Sequence, residues 1–298
     1  MIRDFKELKK VIKGSPEKHT IALIAAHDKE PLAAISRAVR ERLCRAILIG
    51  NENKIKEILK ELKIDPRIFM IENSTQDPES LLKGVQAVKE NRADILMKGL
   101  VPTPDFMKAI LAKEAELRTG RLISHLFIFE NRFSRKLTIL TDGGMVPYPD
   151  YQEKCQILEN GVLFARKMRL EKIKISMISA SEKPTDKIPS TIDFDKMKKE
   201  ITYPDAVLGG PYGIDVAISR ASAVHKGIES ETAGDSDIWL MPNIEAGNMA
   251  AKSILYFGHT KSGGIMTGVR VPVILLSRAD DAATKYNSIM LGILSAGS

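Results

Sequence analysis

Two apolar segments near the end of the chain each run directly into a polar turn and then into a helix-like pattern. The turn residues suited to bind a ligand or accept a proton are Asn243, Glu245, Gly247 and Asn248 after the first segment, and Ser277, Arg278, Asp280 and Asp281 after the second. In α/β proteins, polar groups at the carboxyl ends of strands line the ligand crevice. A helix that begins there also points free N–H groups and a positive dipole end toward an anion. The two turns therefore predict two halves of one anion site.

Individual residues in these turns also have simpler interpretations. Arg278 follows a strongly apolar strand, and its planar guanidinium suits phosphate oxygens, which favours a functional role. Asp280 and Asp281 are suited either to cap the last helix or to pair with Arg278. Glu245 and Asn248 lie three residues apart and share a helix face, although a polar residue in that turn is also suited to cap the helix.

Two further strand ends carry candidate binding residues. Lys98 and Gly99 end an apolar strand, and Thr103 with the proline after it is typical of a capped helix start. A lysine in that position is suited to bind a phosphate or carboxylate, or simply to lie in solvent. Asp142 follows another strand and precedes two glycines, whose spacing alone indicates a turn.

A glycine-rich segment, 209–215, joins a strand to a helix. Its glycines, with Gly210 and Pro211 among them, allow the backbone to approach a ligand closely. The segment is not a Walker loop, because no Lys-Ser or Lys-Thr closes it, and its glycine spacing differs from the dinucleotide fingerprint. Alone, it does not identify a ligand.

The composition narrows the class of protein. The 298 residues are 44% hydrophobic and 28% charged, as in soluble globular proteins. The net charge of +7 is suited to draw in phosphorylated substrates, but aromatic residues are only 5% and no basic run contains them, so nucleic-acid binding is not expected. The histidines and cysteines lack metal-type spacing, which predicts no metal site. No signal-type or membrane-spanning apolar stretch occurs, so we expect a cytoplasmic protein.

Strand-like and helix-like patterns alternate through most of the chain and predict the α/β class. Continuous apolar runs indicate strands buried on both faces, as in mostly parallel sheets. The predicted strands are 20–26, 45–50, 69–71, 93–100, 126–130, 136–141, 173–179, 206–209, 238–242 and 265–276. The main predicted helices are 31–43, 103–117, 150–168, 214–226, 245–257 and 280–294. We expect two α/β domains, with residues 1–142 plus 270–298 in the first and 143–269 in the second.

Together these segments resemble the phosphate acetyltransferase and phosphate butyryltransferase family, and the butyryltransferase branch more closely. The resemblance covers nearly the whole chain from Ile21 onward. The ordered segments that carry it are ADILMKGLV, TDGGMVPYPDYQEKCQIL, GGPYGIDVAIS, HKGIES, AGDSDIWLMPNIEAGNMAAKS and VILLSRADDAATKYNS.

The resemblance implies a fold and an activity. The family implies two α/β domains flanking a cleft, in an isocitrate/isopropylmalate dehydrogenase-like architecture, and a homodimer or larger homo-oligomer. It also implies transfer of a butyryl or similar short acyl group between coenzyme A and inorganic phosphate, by direct thiol attack on the acyl phosphate in a ternary complex. Coenzyme A is then a substrate, and the chemistry requires no metal or redox cofactor.

The resemblance also implies residue roles. Arg278 matches a phosphate contact, and Ser277 matches a contact to the developing oxyanion or the thiol. Lys108 lies where the acetyltransferase branch carries an arginine, which implies a second phosphate contact. The other predicted substrate-binding residues are Lys98, Gly99, Thr103, Asp142, Gly210, Pro211, Asn243, Glu245, Gly247 and Asn248.

One departure concerns the proton acceptor. Relatives carry acidic residues at the fifth or sixth position after the arginine, where this chain has Ala283 and Thr284. Asp280 or Asp281 is the possible substitute, displaced by about one helical turn of 3.6 residues. Alternatively, a thiol with a free pKa of about 8.5 ionises in a positive site without a dedicated base.

This departure leaves alternatives open. A phosphate acetyltransferase is one, and a non-catalytic relative that binds acyl-CoA or acyl phosphate is another. A metal-dependent hydroxyacid dehydrogenase has a related architecture, but the acidic metal-ligand cluster that it requires is not evident in the sequence.

Overall fold

Helices and strands alternate along the computed structural model, which describes residues 1–275 and 280–297. Its strands are β1 (Thr20–Ile24), β2 (Arg45–Gly50), β3 (Met70–Asn73), β4 (Ile95–Lys98), β5 (Ser124–Asn131), β6 (Lys136–Thr141), β7 (Ile173–Ile178), β8 (Ala206–Tyr212), β9 (Ile238–Leu240), β10 (Ser262–Thr267) and β11 (Val273–Ile274). Its helices are α1 (Phe5–Gly14), α2 (Lys29–Arg40), α3 (Glu52–Glu61), α4 (Asp77–Lys89), α5 (Thr103–Leu111), α6 (Tyr151–Lys167), α7 (Pro189–Glu200), α8 (Ile214–Ile218), α9 (Arg220–His225), α10 (Ile244–Tyr256) and α11 (Ala282–Ala296). None of the helices in the described part is long and apolar enough to cross a membrane.

The contacts divide the chain into two compact units. Unit A comprises Leu8–Arg121 and Gly263–Ser298, and unit B comprises Met1–Glu7 and Leu122–Ser262. The sequence placed the changes at 142/143 and 269/270, whereas the units change at 121/122 and 262/263, and also at 7/8. The first difference arises because β5 and β6 form a hairpin whose second strand pairs with β9, which ties 124–141 to unit B.

Unit A is built on a sheet with the strand order β3-β2-β1-β4-β11-β10. The pairs from β3 to β11 are parallel, and β10 is antiparallel to β11. The central strand β1 has no exposure over Ile21–Ile24, as expected for a strand covered on both faces. This arrangement confirms the predicted α/β class.

The order of unit A reverses between β1 and β4. The chain moves from β1 to β2 and β3 on one side, then crosses to β4 on the other side. Because such crossovers are right-handed, the helices on the two sides lie on opposite faces of the sheet. Accordingly, α2 packs against α3 and α11, whereas α4 packs against α5 and β1. The carboxyl ends of β1 and β4 therefore form a topological switch point, where open α/β sheets bind ligands.

Unit B is built on a sheet with the order β5-β6-β9-β7-β8. The β5–β6 pair is antiparallel, and β6, β9, β7 and β8 are parallel. On one face, Phe129 meets Trp239 edge to face at 5.3 Å between ring centroids. The parallel order brings the carboxyl ends of β6, β9 and β8 to one edge and their amino ends to the opposite edge.

Several predicted elements have different bounds in the structure. The predicted strand 265–276 is two antiparallel strands, because Gly268, with φ of 92°, and Pro272 interrupt it. The predicted helix 214–226 breaks at Ser219, whose hydroxyl caps α9 by accepting a hydrogen bond from the Ser222 N–H at 3.1 Å.

Candidate functional site

In unit B, the turn after β6 lies at the carboxyl edge of the sheet and begins with Asp142, whose carboxylate is buried. Its Oδ1 accepts hydrogen bonds from the N–H groups of Gly144 at 2.6 Å and Met145 at 2.9 Å. Its Oδ2 accepts one from the His125 N–H at 3.0 Å. Asp142 is only 2% exposed. The carboxylate therefore fixes the turn after β6 through hydrogen bonds to the backbone.

Two glycines let this turn approach the start of α10. A Cβ on Gly247 would lie 2.4 Å from the Asp142 carbonyl oxygen, and a Cβ on Gly143 would lie 2.7 Å from the Gly247 carbonyl carbon. Real Cβ atoms do not approach backbone so closely, so neither position accepts a side chain without movement. A hydrogen bond also joins the two turns, because the Asn248 side-chain amide donates to the Gly143 carbonyl oxygen at 3.2 Å.

The other polar residues of the α10 turn have distinct roles. The Asn243 side chain caps α10 by accepting a hydrogen bond from the Ala246 N–H at 3.0 Å. Glu245 is exposed, and its carboxylate beside the Tyr148 hydroxyl raises the pKa of that phenol. The capping role that the sequence left open thus falls to Asn243. Glu245 and Asn248 are both exposed.

The glycine-rich end of β8 is closely packed against its own unit. Gly210 has φ of 122°, and a Cβ there would lie 2.7 Å from the Met177 carbonyl oxygen. Pro211 follows through a cis peptide bond. The glycines were expected to let the backbone approach a ligand closely. In the structure, Gly210 lets β8 approach β7 closely.

A cluster of ion pairs beyond β8 was missed by the sequence analysis. The Lys226 Nζ lies 2.7 Å from the Glu182 Oε1 and 2.9 Å from the Asp215 Oδ2. These contacts hold the pKa of the Glu182 carboxyl and the Asp215 carboxyl below their usual values. Lys226 and Asp215 belong to the HKGIES and GGPYGIDVAIS segments, so this cluster connects two segments that carried the resemblance.

In unit A, Lys98 and Gly99 lie at the switch point between β1 and β4. Lys98 is 6% exposed, and its Nζ donates to the Gly99 carbonyl at 3.1 Å and to the Val101 carbonyl at 2.8 Å. A Cβ on Gly99 would lie 2.3 Å from the Ala25 carbonyl oxygen. The ammonium therefore organises the turn after β4, and Gly99 lets that turn pass close to the end of β1.

The two predicted residues on α5 lie apart along the helix. Thr103 is the first residue of α5 and does not cap it, because the N-cap is Pro102 and makes no side-chain bond. Lys108 lies about 7.5 Å farther along the axis at 1.5 Å per residue. It lines a groove of about 940 Å³ between α4 and α5, with Leu81 and Val85 on the α4 side.

The start of α11 settles the role of one acidic residue. The Asp281 Oδ1 accepts a hydrogen bond from the Thr284 N–H at 2.7 Å, and this bond lowers the pKa of the Asp281 carboxyl. Asp281 therefore caps α11. The Nζ of the buried Lys285 donates to the Asp280 carbonyl oxygen, which fixes the residue before the cap.

Two predicted catalytic residues, Ser277 and Arg278, lie outside the described residues. The described chain resumes at Asp280. At the positions after the cap, Ala283 is exposed and Thr284 is 9% exposed. Within residues 1–275 and 280–297, no group of three or more histidine, cysteine or acidic side chains is placed to hold a metal ion.

Similarity to known proteins shows the family to which the chain belongs. The model of a family described as phosphate acetyl/butaryl transferase matches residues 77–293. The chain belongs to this family. The match covers β4 to β11 and most of α11, and it confirms the family that the sequence predicted.

Individual phosphate acyltransferases are similar over 91% to 100% of this chain. A phosphate butyryltransferase of Clostridium acetobutylicum is 39% identical over 100% of this chain and 99% of its own. A phosphate acetyltransferase of Thermotoga maritima is 34% identical over 91% of this chain and 93% of its own. The crystal structure of a branched-chain phosphotransacylase from Enterococcus faecalis superposes with a TM-score of 0.84 at 28% identity, covering 93% of this chain and 99% of that one.

Proposed function

We propose that the protein is an acyltransferase that moves a short-chain acyl group, butyryl or similar, between coenzyme A and inorganic phosphate. The observation that carries the proposal is membership of the phosphate acetyl/butaryl transferase family, with a phosphate butyryltransferase 39% identical over the whole chain. Coenzyme A is a substrate in this reaction. Two butyryltransferases of 39% and 36% identity, compared with 34% for an acetyltransferase, favour butyryl over acetyl.

The reaction is a direct transfer in a ternary complex. In the direction of acyl-CoA formation, the coenzyme A sulfur attacks the carbonyl carbon of the acyl phosphate. A carbon–sulfur bond forms, the carbon–oxygen bond to phosphate breaks, and phosphate leaves with the bonding electrons. Holding both reactants together and stabilising the oxyanion are the two requirements on the protein. We assign Arg278 to the phosphate oxygens and Ser277 to the oxyanion or the thiol.

The proton of the thiol needs an acceptor. The Asp281 carboxylate is engaged by the Thr284 N–H, and its lowered pKa makes it a weaker base. Asp280 is therefore the better of the two acidic candidates. The alternative needs no base, since a free thiol with a pKa of about 8.5 ionises more readily beside cations.

The strand-end turns are assigned to substrate binding. In unit A, these are Lys98 and Gly99 at the switch point, with Thr103 and Lys108 on α5. In unit B, they are the turn held by Asp142, the α10 turn with Asn243, Glu245, Gly247 and Asn248, and the end of β8 with Gly210 and Pro211. The proposed architecture has the two units flanking a cleft, as in isocitrate and isopropylmalate dehydrogenases. The proposed assembly is a cytoplasmic homodimer or larger homo-oligomer.

A panel of acyl-CoA substrates tests the activity. Acetyl-, propionyl-, butyryl- and isobutyryl-CoA are each supplied with phosphate, and release of free thiol is followed. Butyryl-CoA is expected to give the highest kcat/KM; a maximum with acetyl-CoA would identify a phosphate acetyltransferase instead. Arg278→Ala is expected to lower kcat/KM by at least about 100-fold, the scale for loss of one group that stabilises transition-state charge. The matched control is Arg40→Ala, an exposed arginine on α2.

A second candidate function is a non-catalytic relative that binds acyl-CoA or acyl phosphate. The observation that favours it is the absence of a carboxylate at Ala283 and Thr284. It predicts that butyryl-CoA raises the melting temperature while none of the four acyl-CoA substrates releases thiol. Phosphate-dependent thiol release would rule it out.

A further inference from the structure

A second charged pocket lies in unit B, at the edge of the sheet opposite the candidate site. It has a volume of about 280 Å³ and is lined by five cationic side chains and two carboxylates. Lys136 begins β6, and Lys174 is the second residue of β7, so the pocket lies at the amino ends of these strands. The turn after β6 is about 20 Å away along the strand, at 3.3 Å per residue. The pocket is therefore separate from the turns assigned to acyl transfer.

The two carboxylates neutralise the inner wall of this pocket. Asp235 lies 2.8 Å from the Lys136 Nζ and 2.5 Å from the Lys174 Nζ. Asp237 is 2% exposed, lies 2.7 Å from the Lys136 Nζ and accepts the Lys174 N–H at 2.7 Å. These ion pairs fix the side chains of Lys136 and Lys174 and neutralise most of their positive charge.

The outer wall carries two arginine side chains that pair with no carboxylate of the described residues. Arg3 and Arg135 are exposed, and neither guanidinium makes a hydrogen bond or an ion pair with any residue that the structure describes. Lys172 adds a third cation, paired with Glu231 at 2.6 Å. Two guanidiniums facing one small pocket offer planar donor pairs that fit the oxygens of a phosphate group.

The backbone holds both arginines at the pocket. The segment with Arg3 is anchored by Ile2, which is 2% exposed and whose N–H donates to the Met168 carbonyl at 3.1 Å. Arg135 ends the β5–β6 turn with φ of 54°. That turn is fixed by the Asn131 side chain, which accepts the Phe133 N–H at 3.0 Å. The cationic wall is therefore present before any ligand arrives.

A hydroxyl in the same pocket also lacks a partner. The Ser134 Oγ is buried and makes no hydrogen bond with the described residues. A buried polar group without a partner costs roughly 1–3 kcal/mol, so such groups are normally satisfied by protein, water or ligand. Ser134 lines the pocket and directly precedes Arg135, so rotation of its side chain would let the hydroxyl donate to an anion that Arg135 binds.

We infer that this pocket, which we call the amino-edge pocket, binds the phosphate or diphosphate group of a small molecule through Arg3, Arg135, Lys172 and Ser134. Its volume of about 280 Å³ accommodates a diphosphate. The inference does not depend on the proposed acyl transfer, because none of these residues belongs to the turns assigned to it.

Inorganic pyrophosphate is the probe, measured by isothermal titration calorimetry on the full chain at constant ionic strength. The background is Arg278→Ala, which removes the proposed phosphate contact of the transferase site. Arg3→Gln/Arg135→Gln is expected to weaken pyrophosphate binding at least tenfold, and Ser134→Ala several-fold. The matched control is Arg132→Gln/Lys187→Gln, which removes two exposed charges of unit B outside the pocket.

The control decides between a site and a general attraction to a basic surface. Equal weakening in the pocket variant and in the control would overturn the inference, as would loss of all pyrophosphate binding in the Arg278→Ala background. Malonate that binds as tightly as pyrophosphate would also overturn it, since phosphate chemistry would then not be selected. ADP tests whether the diphosphate belongs to a nucleotide. If ADP binds more tightly than pyrophosphate, the ligand is a nucleotide; if the two bind equally, the pocket recognises the diphosphate group alone. The thiol-release rate of Arg3→Gln/Arg135→Gln without pyrophosphate is expected to equal that of the unmodified protein.

Discussion

Gly143 and Gly247 lie backbone to backbone, where the turn after β6 meets the first turn of α10. A Cβ on Gly247 would lie 2.7 Å from the Gly143 Cα and 2.4 Å from the Asp142 carbonyl oxygen. The contact joins two segments that are about one hundred residues apart in sequence, and it sets how closely the two turns approach. Any ligand bound by either turn therefore depends on this pair.

Gly247→Ala is expected to destabilise the protein by about 1–3 kcal/mol, the usual cost of overpacking. The added methyl group meets backbone, which does not move aside as a flexible side chain would. The control is Gly161→Ala within α6, where the nearest atom to a new Cβ is 3.6 Å away. That substitution is expected to be neutral or to stabilise by up to about 1 kcal/mol, because alanine favours helix interiors. Urea unfolding of both variants measures the difference; equal free energies of unfolding would contradict the close approach.

Asp142→Asn is expected to lower the free energy of unfolding by about 1–3 kcal/mol, because one amide NH2 would face a backbone donor. The carboxylate accepts three N–H groups, and an asparagine has only one acceptor oxygen. Asp186→Asn, at an exposed loop position, is the control and is expected to change stability by less than about 0.5 kcal/mol. Thermal and urea unfolding provide the measurement. A variant as stable as the control would show that the turn does not depend on the charge.

Asp281→Ala is expected to cost about 1 kcal/mol at pH 7 through loss of the α11 cap. The pKa of Asp281 is lowered in the folded protein, chiefly by the hydrogen bond from the Thr284 N–H. A lowered carboxyl pKa stabilises the fold above the unfolded value of about 3.9, and that contribution is lost as the pH falls through the folded pKa. The cost of Asp281→Ala should thus be constant from pH 7 to pH 5 and shrink below about pH 4. A cost that grows on acidification would contradict this sign.

Asp280→Asn distinguishes a carboxylate base from a thiol that ionises without one. If Asp280 accepts the thiol proton, kcat for the formation of butyryl-CoA from butyryl phosphate and coenzyme A should fall by about 100-fold or more, while KM for coenzyme A changes little. The rate should then rise with pH as the thiol ionises in bulk water, a dependence that a purely structural role would not produce. Asp281→Asn is the companion variant, since asparagine preserves the cap. An unchanged kcat in Asp280→Asn would assign thiol activation to the positive site alone.

The fold was largely predictable because its local signals agree. Strands β2 and β6 have the predicted bounds, since a continuous apolar run between polar turns specifies a buried strand. The positions at which the chain passes from one unit to the other differ from those expected from the sequence. The boundary was placed directly after β6, but β6 pairs with β9, and such a pairing is not encoded in the local pattern. The single strand predicted over 265–276 failed for a similar reason, because antiparallel pairing splits it into β10 and β11.

The candidate site, too, was only partly predictable from the sequence. The residue types and their order were sufficient to predict the family, because several strand-end segments in a fixed order are specific even where each alone is weak. The roles of single residues were not predictable. Whether Asn243 and Asp281 cap helices, and whether Gly210 serves packing against β7, depends on which atoms lie within about 3 Å, the reach of a hydrogen bond.

The sequence by itself determined the α/β class, the family and the strand ends that carry polar residues, since apolar periodicity and motif order are properties of the chain. Only the tertiary structure decided that Lys98 lies at a switch point, that Asp142 binds three backbone N–H groups and that Arg3 joins Arg135 in the amino-edge pocket. These facts depend on strand order and on contacts between distant segments. The physical reason is that hydrogen bonds and charges act through space, and the distances that govern them are set by packing.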